Sequence, residues 1–239
     1  MKWKWLAQVA TPVALTFVLG ACGQEPATAP ATGTAAEAGA EAPPEIPVMG
    51  PPVRVLALGD SLFAGYGLEP GQSYPARLEA ALRARGINAQ IMNAGVSGDT
   101  TAGGLQRLDF TLSSMDPPPT LAIISLGGND MLRALPPEQT RQNLDAILTT
   151  LGERKVKVVL LGMLSPPNLG ADYRKAFDPI YPALAKKHGA TLVPFFLQPL
   201  IGRPDLLQAD NIHPTLPGID KLVEATVDDV AKAVPKPKS

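Results

Sequence analysis

The 239-residue chain contains a single cysteine, so no intrachain disulfide can form. It contains only two histidines, His188 and His213, so any chemistry that needs an imidazole has two places to look. The formal net charge is −1 and no stripe of Lys and Arg runs along any segment, which removes the electrostatic footprint of a nucleic-acid binder. The longest apolar run, Trp5 to Leu19, is short for a membrane span. What is present is a 45 % apolar composition, enough for a full globular core.

Lys2 and Lys4 precede the Trp5–Leu19 run, which ends in Leu19-Gly20-Ala21-Cys22. A short positive region, an apolar core and small residues before a break point make an export signal. The sole cysteine falls at the one position that a bacterial lipobox requires. The resemblance to lipoprotein signals implies cleavage after residue 21 and acylation of Cys22, and several acyl chains hold a protein on a membrane far better than one. Gly23 in place of aspartate implies, by the same resemblance, the outer membrane and its periplasmic face. Residues 23–52 are mostly Ala, Pro, Thr, Gly and Glu with seven prolines and no apolar period, the composition of a disordered tether. Such a tether spans roughly 30 Å as a coil and about 90 Å fully extended. The expected organisation is signal peptide 1–21, lipidated Cys22 and tether 22–52, and one folded domain 53–239.

Within 53–239, short apolar runs alternate with helical patterns. Strands are expected at 53–58, 89–93, 121–126, 156–163 and 191–194. Helices are expected at 73–85, 137–152, 171–188 and 216–234, with Pro179 and Pro182 kinking or dividing the third. This alternation demands parallel pairing with right-handed crossovers. The expected fold class is α/β: a three-layer α/β/α sandwich on a five-stranded parallel sheet of order 2-1-3-4-5.

Loops that follow parallel strands emerge at one edge of the sheet, where ligands bind. Four such loops carry chemistry-bearing residues: Gly59-Asp60-Ser61-Leu62, Asn93 to Thr100, Gly127-Gly128-Asn129-Asp130, and Asp210-Asn211-Ile212-His213. Acyl transfer needs a nucleophile, a base, a group that orients the base, and donors for an oxyanion. Ser61 supplies a hydroxyl just past a buried strand. His213 supplies a base, and Asp210 three residues earlier can fix its ring. His188, in Lys-Lys-His-Gly, reads as a helix C-terminal residue that interacts with the last carbonyls. Asp60, Asp99 and Asp130 gather near the site, but no second histidine joins them, so they are read as caps and loop braces; no metal and no cofactor is expected.

These four blocks, in this order, resemble the SGNH hydrolases, also called GDSL esterases, and within them the bacterial thioesterase I, arylesterase and lysophospholipase group. The likeness extends over 53–239 and includes Leu126-Gly-Gly-Asn-Asp and Val193-Pro-Phe-Phe. It implies a serine esterase with catalytic Ser61, Asp210 and His213 that passes through an acyl-enzyme. It implies three oxyanion donors: the backbone N–H groups of Ser61 and Gly98 and the side-chain amide of Asn129. Gly95 is a rival to Gly98. The expected pocket wall includes Met131, Leu132, Pro166 and Leu169, which suit an acyl chain. The expected substrates are small carboxylic esters and thioesters, aryl esters among them, and lysophospholipids, and the expected state is a monomer. Two other functions are weighed: a carbohydrate O-acetylesterase, and an envelope-tethered binding lipoprotein without turnover.

Overall fold

In the computed structural model, which describes residue 48 and residues 50–235, five parallel strands form one sheet in the order β2-β1-β3-β4-β5. They are β1 (Val53–Gly59), β2 (Ala89–Gly95), β3 (Leu121–Ser125), β4 (Lys157–Leu161) and β5 (Thr191–Val193). This is the α/β architecture and the strand order expected from the alternation of patterns. The predicted signal peptide, Cys22 and nearly all of the tether lie outside the described residues. Among the described residues, no helix is long and apolar enough to cross a membrane.

Central strands covered on both faces must be apolar throughout, because neither face meets water. Accordingly Val55, Leu56 and Leu58 of β1 and Leu121 to Ile124 of β3 are fully buried. The helices are α1 (Ser61–Ala64), α2 (Tyr74–Ala84), α3 (Thr101–Ser113), α4 (Gly128–Leu132), α5 (Pro137–Glu153), α6 (Ala171–Phe177), α7 (Ile180–His188) and α8 (Leu216–Ala233). Residues 45–239 form one compact unit, and every buried apolar side chain of the core lies between Val55 and Ala233.

The expected helix 171–188 is two helices. Pro179 separates α6 from α7, and Pro182 sits in the first turn of α7, where its missing N–H costs nothing. Helix α3 has no counterpart in the sequence reading. Gly103 and Gly104 weaken its helical signal, yet Thr100 caps it by accepting from the Gly103 N–H, and Leu108 and Leu112 bury one face.

Two glycines let the first loop sit close to its neighbour strand. A Cβ at Gly95, the last residue of β2, would lie 2.3 Å from the Ala64 nitrogen, and a Cβ at Gly59 would lie 2.6 Å from the Phe63 ring. Gly95 therefore serves the close approach of α1 to the end of β2, which pairs with the end of β1 at Gly59.

Candidate active site

Strand β1 ends at Gly59, and the chain turns at once into the single turn α1. Asp60 caps that turn by accepting the Leu62 N–H at 3.1 Å, and Gly65 closes it in the left-handed conformation at φ +79°. Ser61 is thus the first residue of a short helix at the carboxyl edge of the sheet. From the other end of the chain, the loop before α8 brings His213 over it: Ser61 Oγ lies 2.8 Å from His213 Nε2. Asp210 Oδ2 lies 2.6 Å from His213 Nδ1, and Asp210 Oδ1 accepts the backbone N–H groups of Ile212 and His213 at 2.9 and 3.0 Å. These donors, the imidazole first among them, hold the Asp210 carboxyl down to about 2, so it is ionised at neutral pH. An ionised carboxylate only accepts, so Nδ1 of the ring carries the proton and Nε2 accepts from the serine hydroxyl. Asn211 turns the loop with φ +56°, a left-handed conformation that asparagine tolerates well.

The second and third loops face the same place. Gly98 adopts φ +84° and its carbonyl accepts from Arg133 Nη2 at 2.8 Å. Asn129, at the start of α4, donates from Nδ2 to the Asp99 carbonyl at 2.9 Å and stands 3.5 Å from Asp60 Oδ2, a contact at the limit of a hydrogen bond. Asp99 pairs with Arg107 at 2.6 Å, and Arg107 Nη2 also donates to the Gly59 carbonyl at 3.0 Å, tying the loop after β2 to the end of β1. Asp130 is buried and accepts from the Thr101 backbone and from the Thr101 and Thr140 hydroxyls. All three aspartates near the site thus cap or brace their loops. Among the described residues, no group of His, Cys, Asp and Glu is arranged to hold a metal ion. His188 is remote from the site; its Nε2 lies 2.6 Å from Asp145 Oδ1, so it pairs with α5 instead of capping carbonyls, a correction to the sequence reading.

Ser61, Gly98, Asn129 and His213 open onto one cavity of about 470 Å³. Met131 and Leu132 line it. Pro166 and Leu169 do not, which corrects their expected place in the wall. The lining that the sequence reading missed comes from Tyr66, Met163, Leu197, Leu200, Ile201 and Leu207. Four of these follow β5, and their signal was available: a loop after a fifth parallel strand emerges at the same edge as the other four. The Tyr66 ring packs on the His213 imidazole with centroids 4.4 Å apart.

Gln208 joins the two ends of the chain. Its side-chain amide spends both hydrogens, one on the Tyr66 carbonyl at 2.8 Å and one on the Pro214 carbonyl at 2.9 Å. Its backbone N–H donates to the His213 carbonyl at 2.7 Å. A Cβ at Gly67 would lie 2.2 Å from Gln208 Oε1, so a glycine there admits the latch.

Parallel sheet, converging loops and an apolar cavity over a serine and an imidazole are the features of a hydrolase whose site is built at the carboxyl edge of a parallel sheet. A family model described as the GDSL-like lipase/acylhydrolase family matches residues 57–220, and the chain belongs to that family. It is therefore an enzyme of the ester-hydrolysing SGNH class. It is 42 % identical over 170 residues to the esterase TesA of Pseudomonas aeruginosa, a match covering 71 % of this chain and 84 % of that protein. It is 38 % identical to the thioesterase 1/protease 1/lysophospholipase L1 of Escherichia coli K12 over 67 % of this chain and 74 % of that protein. The crystal structure of AlinE4, an SGNH-hydrolase family esterase, matches with a TM-score of 0.67 and 60 % identity, covering 79 % of this chain and all of that one. A Pseudoalteromonas esterase, EstA, solved as inhibited by monoethylphosphonate, matches at 31 % identity and a TM-score of 0.70 over 75 % of this chain and 97 % of that one.

Gln208→Ala removes both side-chain bonds across the latch. The expected result is a kcat lowered roughly 10- to 100-fold with KM changed by no more than about twofold, because His213 loses its alignment with Ser61 while Gln208 itself is no part of the cavity wall. Steady-state kinetics on an aryl ester measure this, and an unchanged kcat refutes the latch.

Asp60 carries a different cost. Burial, only partly offset by its hydrogen bond from Leu62, raises its carboxyl from 3.8 to about 6. Its ionised form is thus disfavoured by folding: the penalty is fully present above pH 6 and is relieved as pH falls through 6 towards 3.8, with a size on the order of 3 kcal/mol. Asp60→Asn should therefore unfold at higher urea than the parent at pH 8, with the advantage gone near pH 4. A less stable variant at pH 8 contradicts the assignment.

Proposed function

We propose that the protein is a serine esterase in which Ser61 is the nucleophile, His213 the base and Asp210 the group that fixes the imidazole. The observation that carries the reading is the unbroken contact Ser61 Oγ–His213 Nε2–Nδ1–Asp210 Oδ2, with steps of 2.8 and 2.6 Å. Nε2 takes the hydroxyl proton as Oγ bonds to the ester carbonyl carbon. The oxyanion formed is met by the N–H groups of Ser61 and Gly98 and by Asn129 Nδ2, whose second hydrogen is held only by the long contact to Asp60. The imidazolium then protonates the departing alcohol or thiol as its bond to carbon breaks. Water loses a proton to Nε2 and adds to the acyl carbon, and the acid leaves Ser61 with its hydroxyl restored. Asp210 stays ionised throughout and stabilises the imidazolium.

The substrates proposed are carboxylic esters and thioesters with short to medium acyl groups, aryl esters included. Apolar side chains dominate the cavity wall, which favours an acyl chain over a sugar and so disfavours a carbohydrate O-acetylesterase. Lysophospholipids are proposed as envelope substrates, on the strength of the lipobox at Cys22 and of the name that the Escherichia coli relative carries. The protein is proposed to act as a monomer anchored through Cys22 at the periplasmic face of the outer membrane.

Ser61→Ala should lower kcat/KM for a p-nitrophenyl ester by at least about 10⁴-fold with an unchanged far-ultraviolet spectrum; activity near that of the parent assigns the nucleophile elsewhere. Activity should also fall on acidification, because a protonated imidazole accepts no proton. Burial pushes the Asp60 carboxyl up to about 6, so the profile is to be taken in Asp60→Asn as well, where the acid limb should persist. A flat profile between about pH 5 and 8 in that variant contradicts a histidine base.

A further inference from the structure

Eight large apolar side chains of the described residues are exposed, and six lie at the carboxyl edge of the sheet, five on loops and Leu132 at the end of α4. Each of the five strands contributes: Tyr66 follows β1, Val96 follows β2, Leu132 ends the helix after β3, Leu164 follows β4, and Ile201 and Ile212 follow β5. Their exposures run from 42 % for Leu164 to 62 % for Ile201. Tyr66, Leu132, Ile201 and Ile212 also line the cavity over Ser61, so the rim is continuous with the substrate chamber. The charges beside them are engaged within the protein: Arg133 on the Gly98 carbonyl, Arg203 on Asp205, and Asp210 on His213. Loops exposed to water ordinarily carry polar side chains, and an apolar patch with a polar surround marks a surface that is covered in use.

We propose that this rim docks on the apolar–water boundary of a lipid aggregate, so that the enzyme draws its ester substrate directly from a bilayer or micelle. The inference rests on the esterase reading above for the identity of the occupant: a ring of apolar side chains around an acyl-binding chamber fits the phase that holds acyl chains. The chain outside the structure permits it. β1 begins at Val53, at the amino edge of the sheet, the pole opposite the rim. The seven residues of β1 span about 23 Å of that height. The 30 residues between Cys22 and Val53 amount to about 90 Å of chain if fully extended, more than that height, so an anchor proposed at Cys22 leaves the rim free to face the membrane.

Val96 and Leu164 are the rim residues outside the cavity lining, so they separate docking from substrate binding. The test takes residues 45–239, the compact unit whose counterpart in AlinE4 is a complete folded chain. This unit should co-sediment with neutral phosphatidylcholine vesicles. Val96→Gln combined with Leu164→Gln should weaken that partition at least about fivefold while hydrolysis of water-soluble p-nitrophenyl acetate changes by less than about twofold. Absence of vesicle binding in a unit that cleaves the soluble ester overturns the proposal, as does binding that the double variant leaves intact. Binding that requires anionic lipid and vanishes in salt would assign docking to basic side chains elsewhere. A dimer lost in the double variant would make a second copy the occupant. Vesicle partition needs no turnover, so failure of the esterase reading shows separately, as a folded unit that cleaves no ester.

Discussion

A 2.8 Å contact joins residues 152 positions apart in the chain, and the remaining architecture exists to hold it. A serine hydroxyl is a poor nucleophile unless a base stands at hydrogen-bond distance, and displacements of an ångström are costly to chemistry of this kind. Ser61 is fixed by the buried carboxyl end of β1 and a capped single turn. His213 is fixed by Asp210 from below its ring, by Tyr66 across its face and by the Gln208 latch behind its backbone. The two halves share no secondary-structure element; side-chain amides and carbonyls bridge them.

The electrostatics divide the carboxylates into two kinds. Asp210 is surrounded by donors and is held ionised, so it can steady a cationic imidazole. Asp60 is next to Ser61 and buried, and its carboxyl is pushed up to about 6 by loss of solvent. The same residue caps α1, so the helix that presents Ser61 is bought at the cost of a carboxyl that resists ionisation. Asp99 and Asp130 brace loops, and Arg107 and Arg133 hold the carbonyls of Gly59 and Gly98 in turn. The cluster of acids that invites a metal reading is thus a set of loop supports.

The parts of this arrangement that could be read from the sequence are those with local signals. Apolar runs of β1 and β3 announce buried strands, and alternation with helices leads to a parallel sheet of order 2-1-3-4-5. With only two histidines in the chain, His213 is the candidate base that the sequence leaves at the sheet edge. Features settled by tertiary contact were not legible. Helix α3 hides behind Gly103 and Gly104, glycines that a helix tolerates here because a Cβ at Gly104 would lie 2.3 Å from Leu126 Cδ1. Pro166 and Leu169 look like an apolar wall, but the loop after β4 contributes only Met163 to the cavity, and on that side the chain after β5 supplies Leu197, Leu200, Ile201 and Leu207. Gln208 has no motif to announce it; its role appears only when Tyr66 and Pro214 are seen on either side of its amide.

The central claim is that one serine oxygen attacks while two donors from other loops receive the charge. A crystal structure of the protein treated with a phosphonate ester tests it directly. The account predicts electron density continuous from Ser61 Oγ to phosphorus, with the phosphoryl oxygen in hydrogen-bond reach of the Gly98 N–H and Asn129 Nδ2. Phosphorus bonded to another residue, or a phosphoryl oxygen turned away from both donors, would contradict it.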